Sequence, residues 1–463
     1  MKLLQKEGSF EKNMPLLLLL AVGMIEFLLI TMEGWLSGIG YYLAENYLVV
    51  PCLLLMGWAL REKQTVFVKK RLLLAAAAVS WFVIVQCIHR LSGMENHSMG
   101  TVFFVYLMAF PFAALSDDRS NRGLWWIGGI FVASSLVLVF YTLLLMLDCV
   151  PVGLAEYVFW DGARLHAMWH PNLAACYFMI GIGFSGAFCV RAEKIWVKAL
   201  LLAAIVAQLL AMALTNCRTT LLLTGALLGG ILFFAIFRGN WKQFLLGLLA
   251  AAVLLVGSFK LSGMLYQWNN DRLLASISES QAEAPAEEGT AGEGVVIKES
   301  TGIILGANEQ GTLSHDMRNL NGRTYIWESA LKAIRDNKRL ALWGTEYTGT
   351  VISAYNREPV LHAHNSWMEV LLRMGLPGLL ISLMFTGLSV WSAAGLVLRK
   401  DTEVWKKAVA MMTMCVLVAG FLEPYLFITN VYYHVMDFTF FFLTGYLDCW
   451  REKLSGKTEK EAA

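Results

Sequence analysis

Apolar runs long enough to cross a bilayer recur along this chain, and they limit its fold more than any other feature. A spanning helix needs about 17–25 predominantly apolar residues. Runs of that order lie at 14–33, 44–60, 72–89, 99–115, 124–147, 172–190, 195–214, 219–237, 243–259, 376–398, 404–422 and 431–449. Inside a membrane every backbone polar group must be satisfied by the protein, so only helices and closed barrels span it. A barrel would show short alternating segments, unlike these long runs. The expected fold is therefore all-α: a polytopic membrane helical bundle of about twelve transmembrane helices.

Charged residues make up only 16% of the chain, against roughly 25% in soluble domains. The net charge of +2 gives no footprint for nucleic acid. Eight cysteines are scattered without CxxC or Cys/His spacing, so neither a metal site nor a disulfide framework is expected, and no cofactor is implied. Lys2, Lys6 and Lys12 precede the first run and no clear small-residue cleavage site follows, which predicts a retained first helix.

Lysine and arginine set the orientation. With the N-terminus in the cytoplasm, the cytoplasmic segments carry 23 of them and the short outer loops only 3, Arg90, Arg164 and Arg218. Positive charge stays inside in short loops, while long loops translocate regardless. Residues 1–259 then hold the first nine transmembrane helices, 260–375 an extracytoplasmic loop, 376–449 three more helices, and 450–463 a cytoplasmic tail expected to be disordered. Within the loop, 278–300 is acidic, rich in Ala, Gly and Glu, without aromatics, and reads as a flexible insert. Asn321 as a cap, followed by Ile326, Trp327, Ala330, Leu331 and Ile334 at helical spacing, predicts an amphipathic helix over 322–336.

The richest polar stretch is LHAHNSWMEVLLRMGLPG, from Leu361 to Gly378. It places His362, His364, Asn365, Glu369 and Arg373 just before an apolar run, where polar groups are costly and functional by default. Pro377 is expected to kink or start that span. On the predicted topology Arg164, His166, His170, Asn172, Arg218, Arg323, His362, His364 and Glu423 all fall on the outer face or its edge. Arg218, in a short outer turn, is either a snorkelling cation or an anion ligand. Arg323 falls in a helix first turn, where the macrodipole disfavours a cation unless an anion is bound there. His364 reads either as an interfacial histidine or as a general base. Glu369, one turn on, is either its orienting partner or a solvated carboxylate. Pro171 suits a helix first turn after Arg164 and His170, with Asn172 next to it. Glu26, inside the first run, reads as neutral or paired.

These residues carry a resemblance. His364 and Asn365 with Gly375 and Gly378 resemble the H-N-x9-G-x-x-G signature of the O-antigen ligase and O-antigen polymerase superfamily of membrane glycosyltransferases. Gly322, Arg323 and Trp327 are similar to its G-R-x3-W loop motif, and Arg164, His170–Pro171–Asn172 and Arg218 fall in its order. The resemblance implies a GT-C-like bundle and a metal-independent, inverting transfer. A glycan would move from an undecaprenyl-diphosphate-linked donor to a sugar hydroxyl of a glycan or glycolipid acceptor. The transfer would occur on the extracytoplasmic face of a bacterial cytoplasmic membrane, against membrane lipid. Arg218 and Arg323 would hold the diphosphate, and His364 would activate or align the acceptor. Arg164, His170, Asn172, His362 and Asn365 would line the substrate site. The acidic insert is not part of that pattern. Ligase and polymerase differ only in the acceptor and stay open. A transporter or flippase of lipid-linked sugars, the alternative class, predicts charges along the bundle interior and an inverted repeat; no repeat is visible.

Overall fold

The computed structural model describes residues 17, 20, 21, 24, 66–93, 121–146, 160, 161, 164, 165, 171–237, 240–283, 296–298, 303–305, 323–345, 347–356, 359–427 and 434–462. The expected spans at 44–60 and 99–115, most of that at 14–33, and Glu26, His166, His170 and Gly322 lie outside the described residues. Among the described residues the fold is helical, with seven helices long and apolar enough to cross a membrane. The strands are two short antiparallel ladders, β1 (Trp160–Asp161) with β2 (Arg164–Leu165) and β3 (Val296–Lys298) with β4 (Ile303–Leu305).

The chain forms two compact units, one of Met1–Leu29, Gly38–Ile130 and Leu313–Ala463, the other of Ile30–Ser37 and Phe131–Thr312. Helix α1 (Val66–Leu91) lies in the first, and α2 (Arg122–Met146) contributes to both. The second unit continues with α3 (Pro171–Arg191), α4 (Ile195–Leu214), α5 (Arg218–Ile236) and α6 (Trp241–Glu283). Pro171 opens α3, where its missing N–H is no loss. Helix α3 is buried over most of its length, and a polar knot fastens it. Gln208 donates to Ala204 O at 3.0 Å and to Ser185 Oγ at 3.4 Å, and accepts from Ser135 Oγ at 2.8 Å. A Cβ at Gly181 would lie 2.2 Å from Ser135 Oγ, so only glycine admits this knot. Interhelical hydrogen bonds and small residues substitute for the hydrophobic drive that is absent between helices in lipid.

Two expectations about this region are corrected. Helix α6 does not end near 259; its apolar part reaches Leu265 and the helix runs on to Glu283. The insert expected at 278–300 therefore begins as helix, and its Val296–Lys298 pairs with Ile303–Leu305. Composition argued against a packed core there, and neither a helix extension nor a short ladder requires one.

In the first unit the segment after 320 forms α7 (Arg323–Asp336), α8 (Lys338–Trp343) and α9 (Thr348–Ser353), followed by α10 (Ser366–Leu398), α11 (Val404–Gly420) and α12 (His434–Ala462). The tail, expected to be disordered from 450, continues α12 to Ala462; its Lys- and Glu-rich sequence is made of good helix formers. Helices α7 to α9 pack on the start of α10 through a small core of Ala330, Ala333, Leu340, Ile352, Ala363 and Leu372.

Helix α10 breaks at Gly375 (φ 68°, ψ −171°), not at Pro377. A Cβ on Gly375 would sit 2.1 Å from Leu342 O, and one on Gly344 (φ 70°) 2.2 Å from the Arg373 carbonyl carbon. Two glycines thus let two backbones touch. Carbonyls near the break find other donors: Leu372 O accepts from Thr345 N–H at 2.8 Å, and Met374 O from the Trp81 indole at 2.8 Å. Trp81 stacks on Trp343 at 5.3 Å. Pro377 falls in the first turn of the second half, where it costs no hydrogen bond.

Candidate functional site

The polar residues of the Leu361–Gly378 stretch meet the turn that follows α11. Asn365 caps α10: its Oδ1 accepts from Met368 N–H at 3.0 Å, and its Nδ2 donates to Phe421 O at 2.9 Å. Ser366 Oγ donates to Glu423 O at 3.1 Å and accepts from Leu426 N–H at 2.9 Å. Trp367 stacks on Phe421 at 4.0 Å between centroids. The N-terminus of α10 therefore grips residues 421–426 through backbone and side chain, and this grip places Glu423.

Glu423 is buried and joins two groups that are distant in sequence. Its Oε1 pairs with Arg323 Nη2, and its Oε2 lies 3.0 Å from His364 Nδ1. Burial alone would raise its pKa. The hydrogen bond from His364, then the charges of Arg323, His364 and His362, outweigh burial and hold it down at about 2. Near neutral pH Glu423 is an ionised, acceptor-only group. Nδ1 of His364 must then carry the proton, and in the neutral ring Nε2 is left with its lone pair. The ring is one-third exposed, which makes it accessible to a ligand.

The His364 backbone is in the left-handed region (φ 49°), a conformation that costs a non-glycine residue roughly 1–2 kcal/mol. Both flanks hold it there. Asn365 supplies the cap on one side. On the other, Ala363 N–H donates to Glu369 Oε2 at 3.0 Å and Ala363 O accepts from the Trp327 indole at 2.9 Å. His364 N–H donates to His362 Nδ1 at 3.3 Å, and the two rings stand 4.1 Å apart.

Glu369 is neither solvated nor the partner of the His364 ring. It is buried, and its Oε1 accepts from Thr348 Oγ1 and Arg373 Nε, both at 2.8 Å. Its effect on His364 passes through the Ala363 backbone. The ring's actual partner, Glu423, has one sequence signal: it is a lone carboxylate in the apolar run FLEPYLF. Spacing alone does not link it to residues 59 and 100 positions away. The anion that Arg323 requires at the start of α7 is supplied here by the protein itself.

The remaining site residues belong to the second unit. Arg218 is the first residue of α5, half-buried, behind Asn216 in a left-handed turn (φ 48°). Cys217 N–H donates to Thr215 Oγ1 at 3.3 Å and shapes that turn. Arg164 stands in β2 opposite Asp161, and Asn172 is the second residue of α3.

Residues 203–383 match the family described as O-Antigen ligase. Over that stretch the chain is similar to O-antigen ligases. The match runs from α4 through the kink of α10 and contains Arg218, Arg323, His362, His364 and Asn365. No curated protein matches the chain. With its long apolar helices this is a multi-pass membrane protein.

Proposed function

We propose that this O-antigen ligase-like protein transfers a glycan from an undecaprenyl-diphosphate-linked donor to a sugar hydroxyl of an acceptor, on the extracytoplasmic face of the bacterial cytoplasmic membrane. The observation that carries the reading is the chain Arg323–Glu423–His364, in which an ionised carboxylate leaves Nε2 of an accessible imidazole as the proton acceptor.

In this reading His364 Nε2 takes the proton of the acceptor hydroxyl as its oxygen attacks the anomeric carbon. The bond from that carbon to the diphosphate oxygen breaks on the opposite face, which inverts the configuration. The leaving diphosphate gains negative charge, so cations aimed at it favour the transition state over the ground state. Arg323 gives one terminal N–H group to Glu423; among the described residues its other donors make no protein hydrogen bond and suit phosphate oxygens. Arg218 keeps the diphosphate role that the resemblance implies. No metal enters these steps. The polyprenyl tail lies against the apolar helices. Arg164, His170, Asn172 and His362 are assigned to the substrate surround. Asn365, whose amide is engaged at both ends by the backbone, is assigned to holding the turn that carries Glu423.

The test is transfer in vitro by purified protein with lipid-linked donor, alongside donor binding. His364→Ala is expected to lower transfer about 10²–10⁴-fold, the usual share of a general base, while still binding donor. Arg323→Ala is expected to lose donor binding as well. Stable His364→Ala and Arg323→Ala proteins that transfer at the parent rate would refute the assignment and favour a transporter of lipid-linked sugars.

A further inference from the structure

A second feature of the first unit is lined by two of the groups that hold Glu369, Thr348 and Arg373. A cavity of about 440 Å³ opens between α9, the segment before His362 and Arg373 of α10. Its size is that of small-molecule sites, about 300–1,000 Å³. Its lining is not what a lipid tail would select. Thr350 brings an exposed hydroxyl, Tyr347 an exposed ring and Arg373 a guanidinium, while the hydroxyls of Thr348 and Ser353 are held by Glu369 and by the Val360 backbone. Arg373 gives Nε to Glu369, and among the described residues its terminal N–H groups make no protein hydrogen bond. A hydroxyl beside a planar fork of donors and an aromatic face matches the oxygen-dense, amphipathic surface of a sugar ring.

The cavity is also tied mechanically to the proposed base. Thr348 and Arg373 share Glu369 Oε1, and the other oxygen of that carboxylate receives Ala363 N–H, next to His364. Leu361, on the cavity wall, is three residues from His364, at most about 10 Å of extended chain. A saccharide seated in the cavity therefore lies within a short oligosaccharide's length of the imidazole.

We infer that this cavity is a subsite for the acceptor glycan, holding a sugar next to the one that reacts, with Arg373, Tyr347 and Thr350 selecting it. The inference rests on the transferase reading and adds where the acceptor is recognised. Loss of the cavity should weaken acceptor use and leave the chemistry intact.

The experiment uses full-length protein in liposomes, with native lipid-linked donor and acceptor glycan purified from the envelope of a strain lacking this protein. Thr350→Trp and Leu361→Trp each place an indole at the rim of the cavity from an exposed position, Leu361 being 88% exposed. Each is expected to raise the half-saturating acceptor concentration about tenfold or more, as loss of one or two hydrogen bonds would. Maximal rate and half-saturating donor should stay unchanged, and Thr350→Ala, which removes one hydroxyl and fills nothing, should raise the acceptor value by a smaller factor, roughly two- to tenfold. Unchanged acceptor dependence in both Trp variants overturns the subsite. So does a rise confined to the donor value, which would make this a donor pocket. Absence of transfer by the unsubstituted protein would sink the transferase reading itself, and the subsite with it.

Discussion

Replacing Glu423 by Gln removes one charge and keeps the shape. In the folded protein the carboxylate titrates at about 2, against an ordinary 4.5. A shift of that size is worth about 3 kcal/mol of stability near neutral pH. The sign follows from the direction. A depressed carboxylate contributes fully above its unfolded pKa and loses the contribution as pH falls through the folded one. Removing one partner of a buried pair costs about 3–5 kcal/mol, because the other charge is left uncompensated. The side chains of Arg323 and Glu423 are only 13% and 8% exposed, so solvent screens little of this. Thermal unfolding of purified Glu423→Gln at pH 7 should accordingly show a stability loss of about 3 kcal/mol. The gap to the parent should close as pH drops from about 4.5 toward 2, because the parent protonates the same group. Transfer should fall about 10²–10⁴-fold, since the amide no longer fixes which ring nitrogen of His364 is the base. A double variant, Arg323→Met with Glu423→Leu, should regain most of the stability and none of the transfer, because it removes both charges together. A Glu423→Gln protein as stable as the parent at pH 7 and fully active would refute the reasoning.

Gly375→Ala should lower the unfolding temperature and the amount of protein in the membrane. Its φ is left-handed and its Cβ would meet Leu342 O at 2.1 Å, a clash with backbone that cannot rotate away. Glu369→Gln should weaken the hold on the 345–363 segment by about 1–3 kcal/mol, visible as faster hydrogen exchange at Ala363, because a carboxylate accepting three donors becomes an amide with one acceptor oxygen. Arg218→Lys should rescue donor binding poorly against Arg218→Ala, since lysine offers a point charge in place of a bidentate fork. Chelation with EDTA should leave transfer unchanged; loss restored by a divalent ion would contradict the arginine-based mechanism.

Class was legible in the sequence because lipid imposes a simple demand. A run of about twenty apolar residues must satisfy its backbone locally, so length and hydropathy alone predict a helix. That is why the expected spans at 172–190, 195–214 and 219–237 agree with α3, α4 and α5 to within a residue. The amphipathic helix at Arg323–Asp336 was equally readable, because one face of it recurs every three or four residues. The ends of α6 and α12 were not, since helix can continue past an apolar run into polar sequence that composition reads as loose. The break of α10 went to Gly375 and not to Pro377 because Leu342 O comes within a Cβ's reach of it, a contact made only once α8 is docked.

For the site, residue types and order were legible, but partners were not. His364 and Arg323 stand out by their place at a membrane edge, a one-dimensional fact. That a single carboxylate joins them depends on the turn at 421–426 being clamped by Asn365 and Ser366, a contact across more than fifty residues. Glu369, one turn from the histidine, looked like the nearer partner, yet packing turned it to Thr348, Arg373 and the Ala363 amide. Local spacing sets which groups are available. Which of them meet is decided by burial, because a charge taken out of water must find its partner wherever the fold brings one.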